Sequence, residues 1–256
     1  VCRLFKLKIF IQKRTRRKRK DKNLMTNGQN KKLVSVRNLN FKYNNDYILN
    51  DINLDIFKGK NVAILGRNGG GKSTLVKVML GFLRKNSGSI EFFTSENKIG
   101  YLPQIREFDT SFPINIFDLV ISGLTNKNNL FRRFNNEEKK RAEILLKEFD
   151  IFHLKNKLIN EVSGGQLQRA LIARALISSP ELIFLDEPES FLDKEFEFKL
   201  FEKIKELSDS TIVVISHELE KIYDYIDSIF VVEGSIRVYE KKEDYVCSNP
   251  YLHSHK

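Results

Sequence analysis

Leu33-Val34-Ser35-Val36-Arg37-Asn38-Leu39-Asn40-Phe41 alternates apolar and polar side chains, the period of a strand buried on one face. Tyr47 to Ile56 repeats the pattern more loosely, broken by Asn50-Asp51, so residues 33–60 are expected to form an antiparallel ribbon with turns. Asn61-Val62-Ala63-Ile64-Leu65 is instead a nearly continuous apolar run, as in a strand covered on both faces. Leu182 to Leu185 and Thr211 to Ile215 are two more such runs, separated by a helix predicted over Lys194–Leu207. Another helix is predicted from Lys72 to about Leu83, ending near Asn86-Ser87-Gly88. Buried strands alternating with helices argue for a parallel sheet with helices on both faces.

Between roughly 105 and 162 the period changes. Asn136 followed by Glu137 and Glu138 reads as a helix start, after which Ala142, Leu145, Leu146 and Phe149 recur at helical spacing. This stretch is expected to be a mostly helical lobe set into an α/β core of residues 33–104 and 163–240. The expected organisation is one domain over 25–246, a basic head at 1–24 and a tail at 247–256, without internal repeats.

The formal charge of +11 invites a nucleic-acid partner, but its location argues otherwise. Residues 1–24 hold 11 Lys+Arg and one Asp; the rest of the chain has 33 basic against 32 acidic residues. The globular part therefore lacks the broad basic surface that phosphate-backbone binding needs, and no nucleic acid is expected. The head is expected to be disordered, or an upstream extension ahead of a start at Met25; a basic arm touching anionic lipid or RNA is the alternative. No apolar run approaches the ~20 residues of a spanning helix, so any membrane channel must come from another chain. Cys2 and Cys247 stand alone at opposite ends, which excludes a disulfide framework and fits a reducing compartment. His253 and His255 make a short His-x-His, more often a polar tail than a metal site.

Gly66-Arg67-Asn68-Gly69-Gly70-Gly71-Lys72-Ser73 fits the spacing G-x-x-x-x-G-K-[ST], after a buried strand and opening a helix. Successive backbone N–H groups there can wrap phosphates, and the helix N-terminus adds partial positive charge. Lys72 is expected to reach the β- and γ-phosphates, and Ser73 to coordinate Mg²⁺. Leu182 to Leu185 then delivers Asp186 and Glu187: the first to hold the Mg²⁺ shell, the second to orient or deprotonate the attacking water. Ser163-Gly164-Gly165-Gln166 opens a further helix, terminated by Ser178-Ser179-Pro180. Taken alone it is equally a helix cap. Beside the first loop it is a second anion cradle that one domain has no use for, so each copy's cradle is expected to serve its partner's ATP.

With these motifs in place, the sequence over roughly Leu33 to Tyr239 resembles an ABC transporter nucleotide-binding subunit. The resemblance implies a P-loop NTPase (RecA-like) α/β core with an N-terminal antiparallel β ribbon and an inserted helical lobe. It implies ATP bound by Tyr43, stacked on adenine, and by Gly66, Arg67, Asn68, Gly69, Gly70, Gly71, Lys72, Ser73 and Thr74. Gln104, in Tyr101-Leu102-Pro103-Gln104, matches the glutamine that contacts Mg²⁺ and water and relays to the membrane subunit. His217 matches the histidine that contacts γ-phosphate, so Glu187, His217 and Gln104 are the implied catalytic set. The implied Mg²⁺ ligands are Ser73, Gln104 and Asp186. Asp193 matches a loop that acts across the dimer, although Glu189-Ser190-Phe191-Leu192-Asp193 departs from the usual Thr-Ser-Ala-Leu-Asp. Val162 likewise replaces the usual signature Leu.

Phe108-Asp109-Thr110-Ser111-Phe112-Pro113-Ile114, running on to Leu124, resembles a segment of importers for zinc, manganese or iron. The implied protein is a peripheral ATPase at the cytoplasmic face of the cell membrane. It works as a homodimer with membrane permease subunits and an extracytoplasmic metal-binding protein, zinc or manganese being the preferred cargo. An importer of iron-chelate or cobalamin is the neighbouring reading; a soluble ABC ATPase acting on ribosomes or nucleic acid is a more remote one.

Overall fold

Leu33, Val34, Val36, Leu39 and Phe41 are buried along β1 (Lys32–Tyr43), which pairs antiparallel with β2 (Asp46–Phe57) as the alternation predicts. The computed structural model describes residues 31–125, 133–207 and 209–248. These fall into two compact units, one of residues 31–93 with 201–248 and the other beginning at Thr94 and ending at Leu200. The basic head with Cys2, and the His253 and His255 pair, lie outside the described residues.

The break at Asn50-Asp51 is a bulge through which β2 continues. Asn38 (φ 46°) and Asp51 (φ 49°) both adopt left-handed backbone, which short amide and carboxylate side chains tolerate best. Asn38 Nδ2 donates to Asp51 Oδ1 at 2.9 Å, and Asp51 N–H donates to Asn40 Oδ1 at 3.0 Å. The bulge thus satisfies the groups it takes out of the ladder.

β3 (Val62–Leu65) is buried at all four positions and leads into Gly66. The helix that follows, α1 (Lys72–Met79), is shorter than predicted. Gly81 (φ 79°) turns left-handed, and Phe82 N–H donates to Lys77 carbonyl at 2.8 Å, a left-handed C-terminal stop. Asn86-Ser87-Gly88 therefore does not end the helix. Ser87 begins β4 (Ser87–Phe92), a strand absent from the sequence reading, which pairs with β1 to make a three-stranded sheet in the order β2-β1-β4.

In the unit from Thr94 to Leu200, β5 (Ile99–Leu102) runs parallel to β6 (Leu182–Asp186), which is buried throughout. The helices are α2 (Ile116–Ile121), α3 (Asn136–Glu148) and α4 (Gly164–Leu176), with α5 (Lys194–Glu206) entered at the end. The cap of α3 is Asn135, one residue before the predicted start: its side chain accepts from Glu138 N–H, and Glu138 accepts from Asn135 N–H. Ala142, Leu146 and Phe149 are buried as predicted, while Leu145 is half-buried. α5 ends at Glu206, one residue short of its prediction.

In the unit completed by residues 201–248, β7 (Thr211–Ile215), α6 (Leu219–Ile222), β8 (Ser228–Glu233), β9 (Ser235–Tyr239) and α7 (Lys242–Ser248) follow. The strand order is β7-β3-β8-β9, with β3 parallel to both neighbours and β9 antiparallel to β8. The expected parallel arrangement thus carries an antiparallel edge. β8, whose Ile229 to Val232 run is buried, was not read from the sequence. Asn61 ties the start of β3 to its surroundings: its Oδ1 accepts from Ile212 N–H and its Nδ2 donates to Tyr225 carbonyl, both at 2.9 Å. Among the described residues no helix is long and apolar enough to cross a membrane.

Candidate functional site

The glycine-rich loop after β3 passes so close to Val232 that its first position admits only glycine. A Cβ on Gly66 would stand 2.2 Å from the Val232 carbonyl oxygen, and its φ of 139° is one that L side chains rarely adopt. Gly70 N–H donates to Arg67 carbonyl at 3.0 Å, and Gly234 N–H donates to Gly70 carbonyl at 3.1 Å. Gly71, left-handed at φ 98°, precedes α1. Lys72 is buried, and its Nζ donates to the carbonyls of Gly66 and Arg67 at 2.8 and 2.9 Å. Ser73 and Thr74 are half-buried on the first turn of α1, while Arg67, Asn68 and Gly69 are exposed. The loop thus folds two of its carbonyls onto a buried ammonium ahead of a helix N-terminus, and that ammonium and the helix N-terminus are groups suited to an anion.

Tyr43 ends β1 with 49% of its surface exposed and its ring edge-on to Phe41 at 4.8 Å, an aromatic face available for stacking. His217 follows β7 and is exposed. A cleft of about 630 Å³ is lined by Gly66, Arg67, Ser216, His217, Glu233 and Tyr239, among others.

In the other unit, β6 ends on Asp186, which is wholly buried, and the chain turns at Glu187 with left-handed backbone (φ 49°). Glu187 Oε2 accepts from Gln104 Nε2 at 2.7 Å and from Ser190 Oγ at 3.4 Å. The Glu187 carbonyl accepts from Ser190 N–H at 3.1 Å, closing the turn. Two predicted residues 83 positions apart, Gln104 and Glu187, are therefore in direct contact.

Ser163 is the N-cap of α4, and Gly164 and Gly165 form its first turn. Ser163 Oγ accepts from Gln166 N–H at 3.3 Å and Gln166 Oε1 accepts from Ser163 N–H at 3.0 Å, a capping box. Phe191, exposed and at φ 65°, lies over these glycines: a Cβ on Gly164 would meet its ring at 3.2 Å. Asp193 caps α5 through Phe196 N–H at 2.8 Å and pairs with Arg169 of α4 at 2.9 Å. The Phe196 amide, aided by the Arg169 guanidinium, lowers the Asp193 carboxyl from its ordinary value and prevails over the opposing effect of desolvation.

The sequence model of the family described as ABC transporter matches residues 49–190. The chain belongs to the ABC transporter family. As an ABC protein it binds ATP and is an ATPase. It is 35% identical over 217 residues to the zinc uptake system ATP-binding protein ZurA of Listeria monocytogenes, covering 80% of this chain and 84% of that one. It is 36% identical over 210 residues to the manganese transport system ATP-binding protein MntB of Listeria innocua, covering 79% and 88%. An ATP-binding cassette solved as a dimer in a post-hydrolysis state with ADP and Pi superimposes with a TM-score of 0.69 at 25% identity, covering 82% of this chain and 98% of that one.

Within this ABC ATPase, the sequence reading missed Gln168 and Ser190, both of which hold the turn at Glu187. It also missed Arg169, which ties α4 to Asp193. Gln168 carried a signal: a polar side chain in a stretch where Leu167 and Ala170 to Ala173 are all apolar. Ser190 carried none, since a serine in a loop is unremarkable until its partner is known.

Proposed function

We propose that this chain is the ATP-hydrolysing subunit of an ABC importer. It acts as a twin that closes around two MgATP and drives zinc or manganese through a separate permease. One observation carries the hydrolytic reading: Glu187, held at 2.7 Å by Gln104, directly follows a wholly buried Asp186 at a strand end. The cargo is carried over from the zinc and manganese uptake relatives.

In this reading Tyr43 stacks on adenine. The amides from Gly66 to Thr74, with Lys72, hold the β- and γ-phosphates. Ser73, Gln104 and Asp186 offer hydroxyl, amide and carboxylate oxygens, the hard donors that Mg²⁺ takes; because Gln104 Nε2 is engaged by Glu187, its oxygen is the atom available to a cation. When bound, Mg²⁺ neutralises phosphate charge. Glu187 orients the attacking water and accepts its proton, while His217 contacts the γ-phosphate. Ser163 to Gln166 serve the other copy's ATP, and Asp193 acts across the twin interface. The subunit sits at the cytoplasmic face of the membrane against its permease, and an extracytoplasmic metal-binding protein feeds the system.

The test is uptake of radiolabelled zinc and manganese by cells lacking this chain. Loss of uptake of one metal, restored by the wild type and not by Glu187→Gln, supports the reading; unchanged uptake of both removes the cargo assignment.

A further inference from the structure

Gln168 lies on α4, five residues beyond Ser163, and none of its surface is exposed. Its Nε2 donates to the Pro188 carbonyl at 3.1 Å and, at longer range, to the Glu187 carbonyl at 3.4 Å. Its Oε1 is enclosed and makes no hydrogen bond. A carbonyl oxygen left in that state is unfavourable; an apolar side chain of similar volume would avoid that penalty but leave the buried Pro188 carbonyl without this donor. The two costs oppose each other, so stability alone does not single out an amide at this position.

What the amide does hold is the turn that carries Glu187. That residue has left-handed backbone without being glycine, a conformation that persists only where its surroundings over-determine it. Ser190 N–H and Gln168 Nε2 are the donors that fix the turn's carbonyls. The backbone of the turn in turn sets where the Glu187 carboxylate meets Gln104.

We propose that Gln168 is a positioning residue for ATP hydrolysis: its amide clamps the Glu187–Pro188 turn and ties it to the helix that begins with Ser163. The inference rests on the reading of Glu187 as the group that activates water. It adds that the helix bearing one nucleotide's cradle and the carboxylate serving the other nucleotide are joined by a single buried side chain.

The experiment measures steady-state ATP turnover and thermal unfolding of the full chain as wild type, Gln168→Met, Gln168→Glu and Glu187→Gln. Gln168→Met keeps the volume and loses the donors. Its kcat falls roughly tenfold or more, as misplacement of an activating group does, while KM for ATP stays within about twofold. Its unfolding midpoint stays within about 4 °C of the wild type, because the avoided Oε1 penalty offsets the lost donor, and the Gln168→Glu profile separates this from a purely structural role. Gln168→Glu donates to the carbonyls only when protonated, so its turnover falls with rising pH over a range where the wild type is flat. Wild-type kcat in Gln168→Met overturns the proposal. So does a kcat loss matched by a lowered midpoint together with a Gln168→Glu profile parallel to the wild type. If Glu187→Gln retains turnover, the underlying role of Glu187 falls; if Glu187→Gln is inactive while Gln168→Met is normal, only the clamp falls.

Discussion

Gln104 Nε2 donates a 2.7 Å hydrogen bond to Glu187 Oε2, so the residue expected to sense the membrane subunit grips the carboxylate expected to activate water. A charge-assisted bond of this length fixes the carboxylate more firmly than a neutral one. Glu187→Gln is expected to reduce phosphate release by at least about a hundredfold, with ATP binding retained, because it removes a general base but no phosphate contact. Gln104→Ala, which leaves the carboxylate intact but unheld, is expected to lose less, on the order of tenfold. Equal losses in the two variants, measured as phosphate release at saturating ATP, would contradict this ordering.

Gly66→Ala forces a Cβ to within 2.2 Å of a strand carbonyl, at a φ of 139°. Backbone strain alone costs roughly 1–3 kcal/mol, and the collision displaces the loop. Thermal unfolding with and without ATP is the check: a lower midpoint without ATP and no upward shift on adding it. A variant still stabilised by ATP would show that the loop tolerates the displacement.

Tyr43 presents an exposed ring at the end of β1. Base–aromatic stacking contributes roughly 1–3 kcal/mol, so Tyr43→Ala should raise KM for ATP about tenfold with little change in kcat. Tyr43→Phe, which keeps the ring, should match the wild type. A tenfold loss in both would point to the hydroxyl and away from stacking.

Asp55 governs a pH dependence of stability. Burial raises its pKa, but hydrogen bonds from Arg37, Lys32 and Ser35 prevail and hold it at about 2, below the ordinary 3.8. Its contribution is complete above the unfolded value and is lost as pH falls toward 2. The group is partly exposed, so screening limits the contribution to about 1 kcal/mol. Denaturation followed from about pH 5 down to about pH 2 should therefore be less pH-dependent in Asp55→Asn; parallel curves would assign the acid sensitivity elsewhere.

Local pattern carried much of the fold. Val62–Leu65, Leu182–Asp186 and Thr211–Ile215 are buried strands because each contains an uninterrupted apolar run of four residues, a local property of the chain. β4 and β9 were missed because short edge strands with alternate residues exposed do not differ from polar loops until a neighbour pairs with them. The helix end at Gly81 was misread because one left-handed residue outweighs the propensity of the next turn.

The sequence by itself determined the glycine loop and its lysine, the Asp186-Glu187 pair at a strand end, and Ser163 to Gln166 at a helix start. Each is a contiguous motif whose backbone does the chemistry. Only the tertiary structure decided that Gln104 grips Glu187, that Gln168 clamps the turn beneath it, and that Phe191 lies over the signature glycines. Those contacts join residues about 20 to 80 positions apart in the chain, and no local period encodes which side chains meet once strands and helices have packed.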